Sequence, residues 1–351
     1  MKPGRTSGIR KRRTATLLAL MLAILATATG NDPLGAAPLF TVPPTDSDAT
    51  GTHQPLPAAG FTVSPLSQTR VWLAAHPTDP RTPALRAALG ARPDALWLTG
   101  TDRDLPNLTE FLAVARSTAT TPVIALYNIP GRDDGITGPT ARIAAAGYRT
   151  WVDRIASTIG RTGAIVVVEP DALWLADRQY RDDHTGFDDR LATLRYAVTA
   201  LHRNPGTHVY LDAGTSSGSV TPDRMAVLLR GAGASTRTGF AVNVSSFGPP
   251  AEITAYAQRI RDALMRAGVA DPHYIVDTSR NGNPVWDNNT WCNPPGRKIG
   301  SAPTARPSPT APGLDANIWV KAPGTSDGSC GVGKGSSGGD FLPGVAMAMI
   351  R

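Results

Sequence analysis

The chain has 351 residues, of which 41% are hydrophobic and 18% charged, with a formal net charge of +7. This is enough for one large domain or two modest ones. Six basic residues, Lys2, Arg5, Arg10, Lys11, Arg12 and Arg13, precede Thr14, so the remainder is close to neutral; that distribution excludes a basic face for nucleic acid or a membrane as the source of the charge.

In chain order, the basic start is followed by the apolar run "LLALMLAILA" at 17–26 and by the small residues Ala26, Thr27 and Ala28. This pattern predicts a secretory signal peptide over residues 1–28 and export, an uncleaved N-terminal anchor being the alternative. Residues 29–60 carry Pro33, Pro38, Pro43, Pro44, Pro55 and Pro57 among many Thr, Ala and Ser, and are expected to form a disordered tether. Residues 61–351 then read as a single catalytic-sized domain.

Short apolar runs at 95–98, 123–127, 165–168, 208–211, 240–244, 274–276 and 317–320 are seven predicted strands. Helical stripes lie between them. Leu191, Leu194, Val198 and Leu201 form one; Ile253, Ala257, Ile260 and Leu264 form another, ended by Gly268. Alternating strands and helices imply parallel pairing with right-handed crossovers. The expected fold is α/β, a single distorted seven-stranded parallel barrel. An open doubly wound sheet is the alternative, but no Gly-rich phosphate loop follows the first strand.

Barrel enzymes carry their chemistry at the C-terminal ends of strands. There this chain places Asp133 and Asp134, Glu169 and Asp171, Asp212, Asp277 and Asp327, so five of seven ends are acidic. Crowded carboxylates raise the pKa of one member and leave another ionised, an acid/base pair suited to glycosidic bond cleavage. Metal binding is the competing use, disfavoured because no histidine stands among these ends. His53, His76, His184, His202, His208 and His273 are scattered, and "RDDH" at 181–184 reads as a capping turn. Trp97, Tyr127 and Trp291 are candidate platforms for the C–H faces of a sugar, whereas Trp151 and Trp174 are expected in the core.

Cys292 and Cys330 fit an oxidising compartment, and a bridge between them closes a 38-position loop. Such a loop stabilises by roughly 3–4 kcal/mol in the chain-entropy model. A two-cysteine metal site is less favoured, because there is no CxxC and no nearby histidine pair.

Several motifs resemble those of family 6 glycoside hydrolases, the endoglucanases and cellobiohydrolases that act on β-1,4-glucan. They are "YNIPGRD" at 127–133, "VVVEPDAL" at 166–173, "YLDAG" at 210–214, "VDTSRNGN" at 276–283, "WCNPPGRKIG" at 291–300 and "WVKAPGTSDG" at 319–328. "HPTDPRTPALRAAL" at 76–89 is similar to that family's entry helix. The resemblance implies a distorted seven-stranded barrel and an inverting reaction without a cofactor. It implies Asp171 as general acid, Asp133 as the neighbour sharing its proton, Asp327 as the proposed base and Asp212 as a further site carboxylate. Tyr127 would press on the distorted sugar, Trp97 and Trp291 would stack glucosyl units, and Lys321 would bind a sugar hydroxyl.

The chain departs from the family pattern at Thr215, where His is usual, and at Gly218, where Trp is usual. Ser246 replaces an Asn, Thr325 a Glu, and Asp134 a Cys, so one family disulfide is missing. These changes fall on glucose-binding positions, not on the proton-transfer residues. The expected protein is therefore a secreted, monomeric, inverting endo-β-1,4-glucanase taking glucan as substrate, with no metal, nucleic acid or protein partner. A degenerate, glycan-binding relative is the alternative.

Overall fold

The computed structural model describes residues 52–132, 139–182, 184–285, 290–306 and 311–351. The expected signal peptide, most of the expected tether, Asp133 and Asp134 lie outside the described residues. Seven strands form one sheet: β1 Leu96–Leu98, β2 Val123–Leu126, β3 Ala164–Val168, β4 Thr207–Asp212, β5 Thr238–Val242, β6 Tyr274–Asp277 and β7 Leu314–Ile318. Every neighbouring pair is parallel and the order is sequential, β1 to β7. A doubly wound sheet reverses its strand order at a switch point. This sheet has no reversal, so it curls in one direction, as a barrel does.

The helices among the described residues are α1 Gln68–Ala75, α2 Thr82–Leu89, α3 Asp104–Thr118, α4 Pro139–Ile159, α5 Ala172–Asp182, α6 His184–Leu201, α7 Pro222–Gly231, α8 Pro250–Arg266 and α9 Pro343–Ile350. The two stripes expected from sequence lie on α6 and α8 and are buried. Proline opens α7 and α8 within their first two positions, where a missing N–H is not needed. Among the described residues no helix is long and apolar enough to cross a membrane.

Period-two alternation along the strands divides the core into two layers. Val166, Val168, Val209, Leu211, Phe240, Val242, Tyr274 and Val276 pack with the helices. Ile165, Val167, Tyr210, Ala241, Ile275, Ala316 and Ile318 pack against one another inside the curl. The inner layer uses alanine at Ala125, Ala241 and Ala316, which a narrow seven-stranded interior requires.

Between β7 and β1 there is no ladder among the described residues. The seam is bridged by the Ala95 N–H donating to the Trp319 carbonyl (3.0 Å) and by Trp97 Nε1 donating to the Val320 carbonyl (2.8 Å). This explains why β7 begins and ends earlier than its apolar run at 317–320 suggests. By Trp319 the chain has left the β6 ladder and is crossing toward β1. The structure places the junction between the expected tether and the expected domain. Gly60 and Thr62 pair with Thr121, and Phe61 joins the inner core.

Candidate active site

β3 is built from β-branched residues and is buried throughout. It ends in a sharp bend at Glu169-Pro170-Asp171, where Glu169 (φ 49°) and Asp171 (φ 69°) both adopt left-handed backbone. Such conformations are unfavourable by about 1–3 kcal/mol each and persist only where the surroundings over-determine them. Here four hydrogen bonds do so. The Glu169 carboxylate accepts from the Asn128 and Ile129 N–H groups, both at 2.9 Å. The Asp171 N–H donates to Asp212 Oδ2 at 2.8 Å. The Glu169 carbonyl accepts from Ala172 N as α5 begins. The two carboxylates of the motif therefore part company: Glu169 is 1% exposed, whereas Asp171 is exposed at the rim.

Burial pushes the Glu169 carboxyl upward, against the pull of its two backbone donors. Asp212 is also raised, first by burial and then by the nearby charge of Asp171. Asp212 and Asp277 are the last residues of β4 and β6, and both share the inward parity of Tyr210 and Ile275. They form a buried acidic floor. Asp277 accepts from Ser279 N (3.0 Å), Ser245 N (3.1 Å) and Lys321 N (3.3 Å), tying three strand ends together. Burial raises its carboxyl too.

Asp327 sits in a different field. Arg280 Nη1 donates to its Oδ1 at 2.9 Å, Lys321 Nζ donates to the same oxygen, and Asn293 N donates to Oδ2 at 2.9 Å. Asn293 Oδ1 in turn accepts from the Asp327 N–H. Burial pushes Asp327 upward, but Arg280 and Lys321 more than offset it and hold the carboxyl below its ordinary value. Lys321 is lowered, by burial and by the Arg280 charge. The Arg280 guanidinium also lies over the Phe247 ring, 4.2 Å from its centroid, which fixes the fork.

Trp97 and Tyr127 meet edge to face, with centroids 5.6 Å apart, and Arg132 covers Tyr127 at 4.8 Å. Trp291 is 71% exposed, one residue before the Cys292–Cys330 disulfide. A large apolar ring left this far in water is unusual for a folded chain. The structure thus describes Asp171, Asp212, Asp327, Lys321, Trp97, Tyr127 and Trp291; Asp133 lies outside the described residues.

The profile of the glycosyl hydrolases family 6 matches residues 58–339. The chain belongs to this family. It is 36% identical over 301 residues to Endoglucanase 1 of Streptomyces halstedii, covering 83% of this chain and 88% of that one. It is 35% identical to Endoglucanase A of Cellulomonas fimi, covering 85% of this chain and 62% of the relative. The endoglucanase Cel6 from Mycobacterium tuberculosis, solved with a methyl-cellobiosyl-thio-cellobioside, superposes with a TM-score of 0.69 at 33% identity. That alignment covers 83% of this chain and 96% of the other. At 22% identity, the catalytic core of the cellobiohydrolase Cel6A from Chaetomium thermophilum shares the fold, with a TM-score of 0.70. As a family 6 hydrolase the chain is a glycosidase.

Of the departures from the family 6 pattern, Asp134 lies outside the described residues. Thr215 Oγ1 lies 3.5 Å from Asn243 Oδ1, and Gly218 is exposed. Thr325 is half-buried with its Oγ1 lacking a partner, in a short bridge to Phe341. Two participants were not singled out from sequence. Arg280 stood at a strand end, but its acidic partner is 47 positions away; Asn293 stands next to Cys292, and only the fold turns it to Asp327.

Proposed function

We propose that this family 6 hydrolase cleaves β-1,4-glucan chains internally and with inversion, outside the cell. Asp171 donates a proton to the leaving glycosidic oxygen, and Asp133 shares that proton. Asp327 serves as base through an intervening water, since both of its oxygens already accept bonds from Arg280, Lys321 and Asn293. An inverting pair leaves room for that water, with carboxyls about 6.5–9.5 Å apart. Asp212 fixes the backbone beneath the acid, Tyr127 bears on the distorted sugar, Trp97 and Trp291 stack glucosyl rings, and Lys321 binds a hydroxyl. The domain division at 28 and 60 belongs to the same reading, as does action as a monomer with no cofactor.

The observation that carries this reading is the bend after β3, which buries Glu169 and leaves Asp171 exposed above the buried carboxyls of Asp212 and Asp277. A catalytic acid needs both the open side and the crowded negative field. Asp171→Asn is expected to abolish release of reducing ends from carboxymethylcellulose while oligosaccharide binding persists. Equal rates in the variant and wild type overturn the assignment. NMR of fresh cellohexaose products reads the anomeric outcome and whether internal bonds are cut. The secreted protein's N-terminal sequence reads the processing site.

A second reading, a glycan-binding relative with little turnover, draws on Thr215, Gly218, Ser246 and Thr325. It predicts saturable cello-oligosaccharide binding with no new reducing ends after long incubation.

A further inference from the structure

At the base of the barrel, opposite the acidic rim, lies a second group of side chains that hydrolysis does not use. His273 immediately precedes β6, Asp315 is the second residue of β7, and Tyr210 projects from β4 into the inner layer. His53 joins them from the segment ahead of α1. His53 Nε2 lies 3.1 Å from Asp315 Oδ1, and His273 Nδ1 lies 2.5 Å from Asp315 Oδ2. The two imidazoles face each other with centroids 3.8 Å apart. Tyr210 OH donates to Asp315 Oδ2 at 2.7 Å.

We propose that His53, His273 and Asp315 form a binding site for a late first-row divalent cation of the zinc type. The donor set is the first reason: two imidazoles and one carboxylate suit such ions and leave a position for water. The geometry is the second. One donor atom from each residue lies within 4.8 Å of the others. Tetrahedral bonds of about 2.0–2.2 Å place donors about 3.3 Å apart, inside that bound. The third reason is an unsatisfied atom. His273 is 3% exposed, yet its Nε2 has no hydrogen-bond partner. A buried ring nitrogen left bare is unfavourable by about 1–3 kcal/mol in general, and a cation is a partner that the surrounding protein does not supply. Tyr210 supplies the outer-sphere bond that orients a ligating carboxylate.

The chemistry balances without a redox partner. The cation takes one lone pair from each ring and one from the carboxylate. The site's consequence is mechanical. His53 belongs to the segment leading into the barrel, and Leu56 packs against the inner core. A shared cation pins that segment across the base, at a distance from the chemistry.

The test uses the full chain, tag-free and stripped with EDTA, titrated calorimetrically with Zn²⁺ at pH 7.5. One equivalent is expected to bind, with a rise in Tm. His53→Ala, a change at the accessible edge, is expected to weaken binding at least tenfold and to remove the Tm rise. Asp315→Asn is expected to weaken it as well, and Co²⁺ should give a ligand-field absorption that His53→Ala abolishes. Carboxymethylcellulose hydrolysis by His53→Ala should match wild type. No stoichiometric binding by the wild type overturns the proposal, and so does binding that His53→Ala leaves intact.

Discussion

Two carboxylates two residues apart do opposite work in this chain. Glu169 is a fastener: its oxygens take the Asn128 and Ile129 N–H groups and hold the loop after β2 against the end of β3. Glu169→Ala orphans both donors in a buried place, so a loss of about 2–5 kcal/mol is expected, measured by urea unfolding. Activity should fall with it, because Tyr127 and Arg132 are carried on the same loop. Asp327 behaves differently, being held ionised by Arg280 and Lys321 against the effect of its burial. Arg280→Met removes one of those cations, so the Asp327 carboxyl should rise. A base with a raised pKa loses its ionised form at higher pH, and the acid limb of the kcat/KM profile should move upward by about one pH unit. An unmoved acid limb would remove Asp327 from the role of base. That Asp171 and Asp327 follow the ends of β3 and β7 was legible from sequence, because motif and strand end coincide there. The division of labour between Glu169 and Asp171 was not, since it depends on two left-handed residues around Pro170 that no propensity favours.

At the scale of elements, apolar runs located all seven strands, because a strand buried on both faces must be apolar throughout. They misplaced β7, where Asn317 takes an outer position and Asp315 a bulge that meets Tyr210, while the apolar Trp319 and Val320 lie at the seam to β1. An element that closes a barrel answers to two neighbours, and composition reports only one of them. The disulfide joins the loop after β6 to the loop after β7, and Asn293, beside Cys292, exchanges backbone and side-chain bonds with Asp327. Replacing both cysteines with serine should lower stability by roughly 3–4 kcal/mol in the loop-entropy model, read by calorimetry. The same variant should lose activity beyond the stability effect at temperatures where it remains folded, because the Asn293 clasp then orders Asp327 less well. Unchanged kcat in the folded variant would show the clasp to be self-sufficient.

Across the whole molecule, buried titratable groups oppose one another as pH falls. His202, at the end of α6, is pushed down to about 4 by burial and by the neighbouring Arg237 and histidines. The unfolded chain, with a value near 6.5, takes up that proton first, so this group's stabilisation is present above about 6.5 and lost as pH falls toward about 4. Asp94, ahead of β1, is pushed up to about 7 by burial, with only the Ser67 hydroxyl and weaker effects pulling it down. The folded chain keeps that proton while the unfolded chain releases it, so stability is full below about 4 and lost as pH rises toward about 7. Each effect amounts to about 3–4 kcal/mol at most, at 1.36 kcal/mol per pKa unit. Single variants separate what the wild type superimposes. The Tm of His202→Gln relative to wild type should climb steadily between pH 6.5 and pH 4, as the acid-side loss disappears. The Tm of Asp94→Asn relative to wild type should climb in the reverse direction, from pH 4 to pH 7, because a neutral amide has no proton to surrender. Scanning calorimetry of both across that range decides the matter: parallel curves for a variant and wild type would mean that its group titrates alike in the folded and unfolded chain.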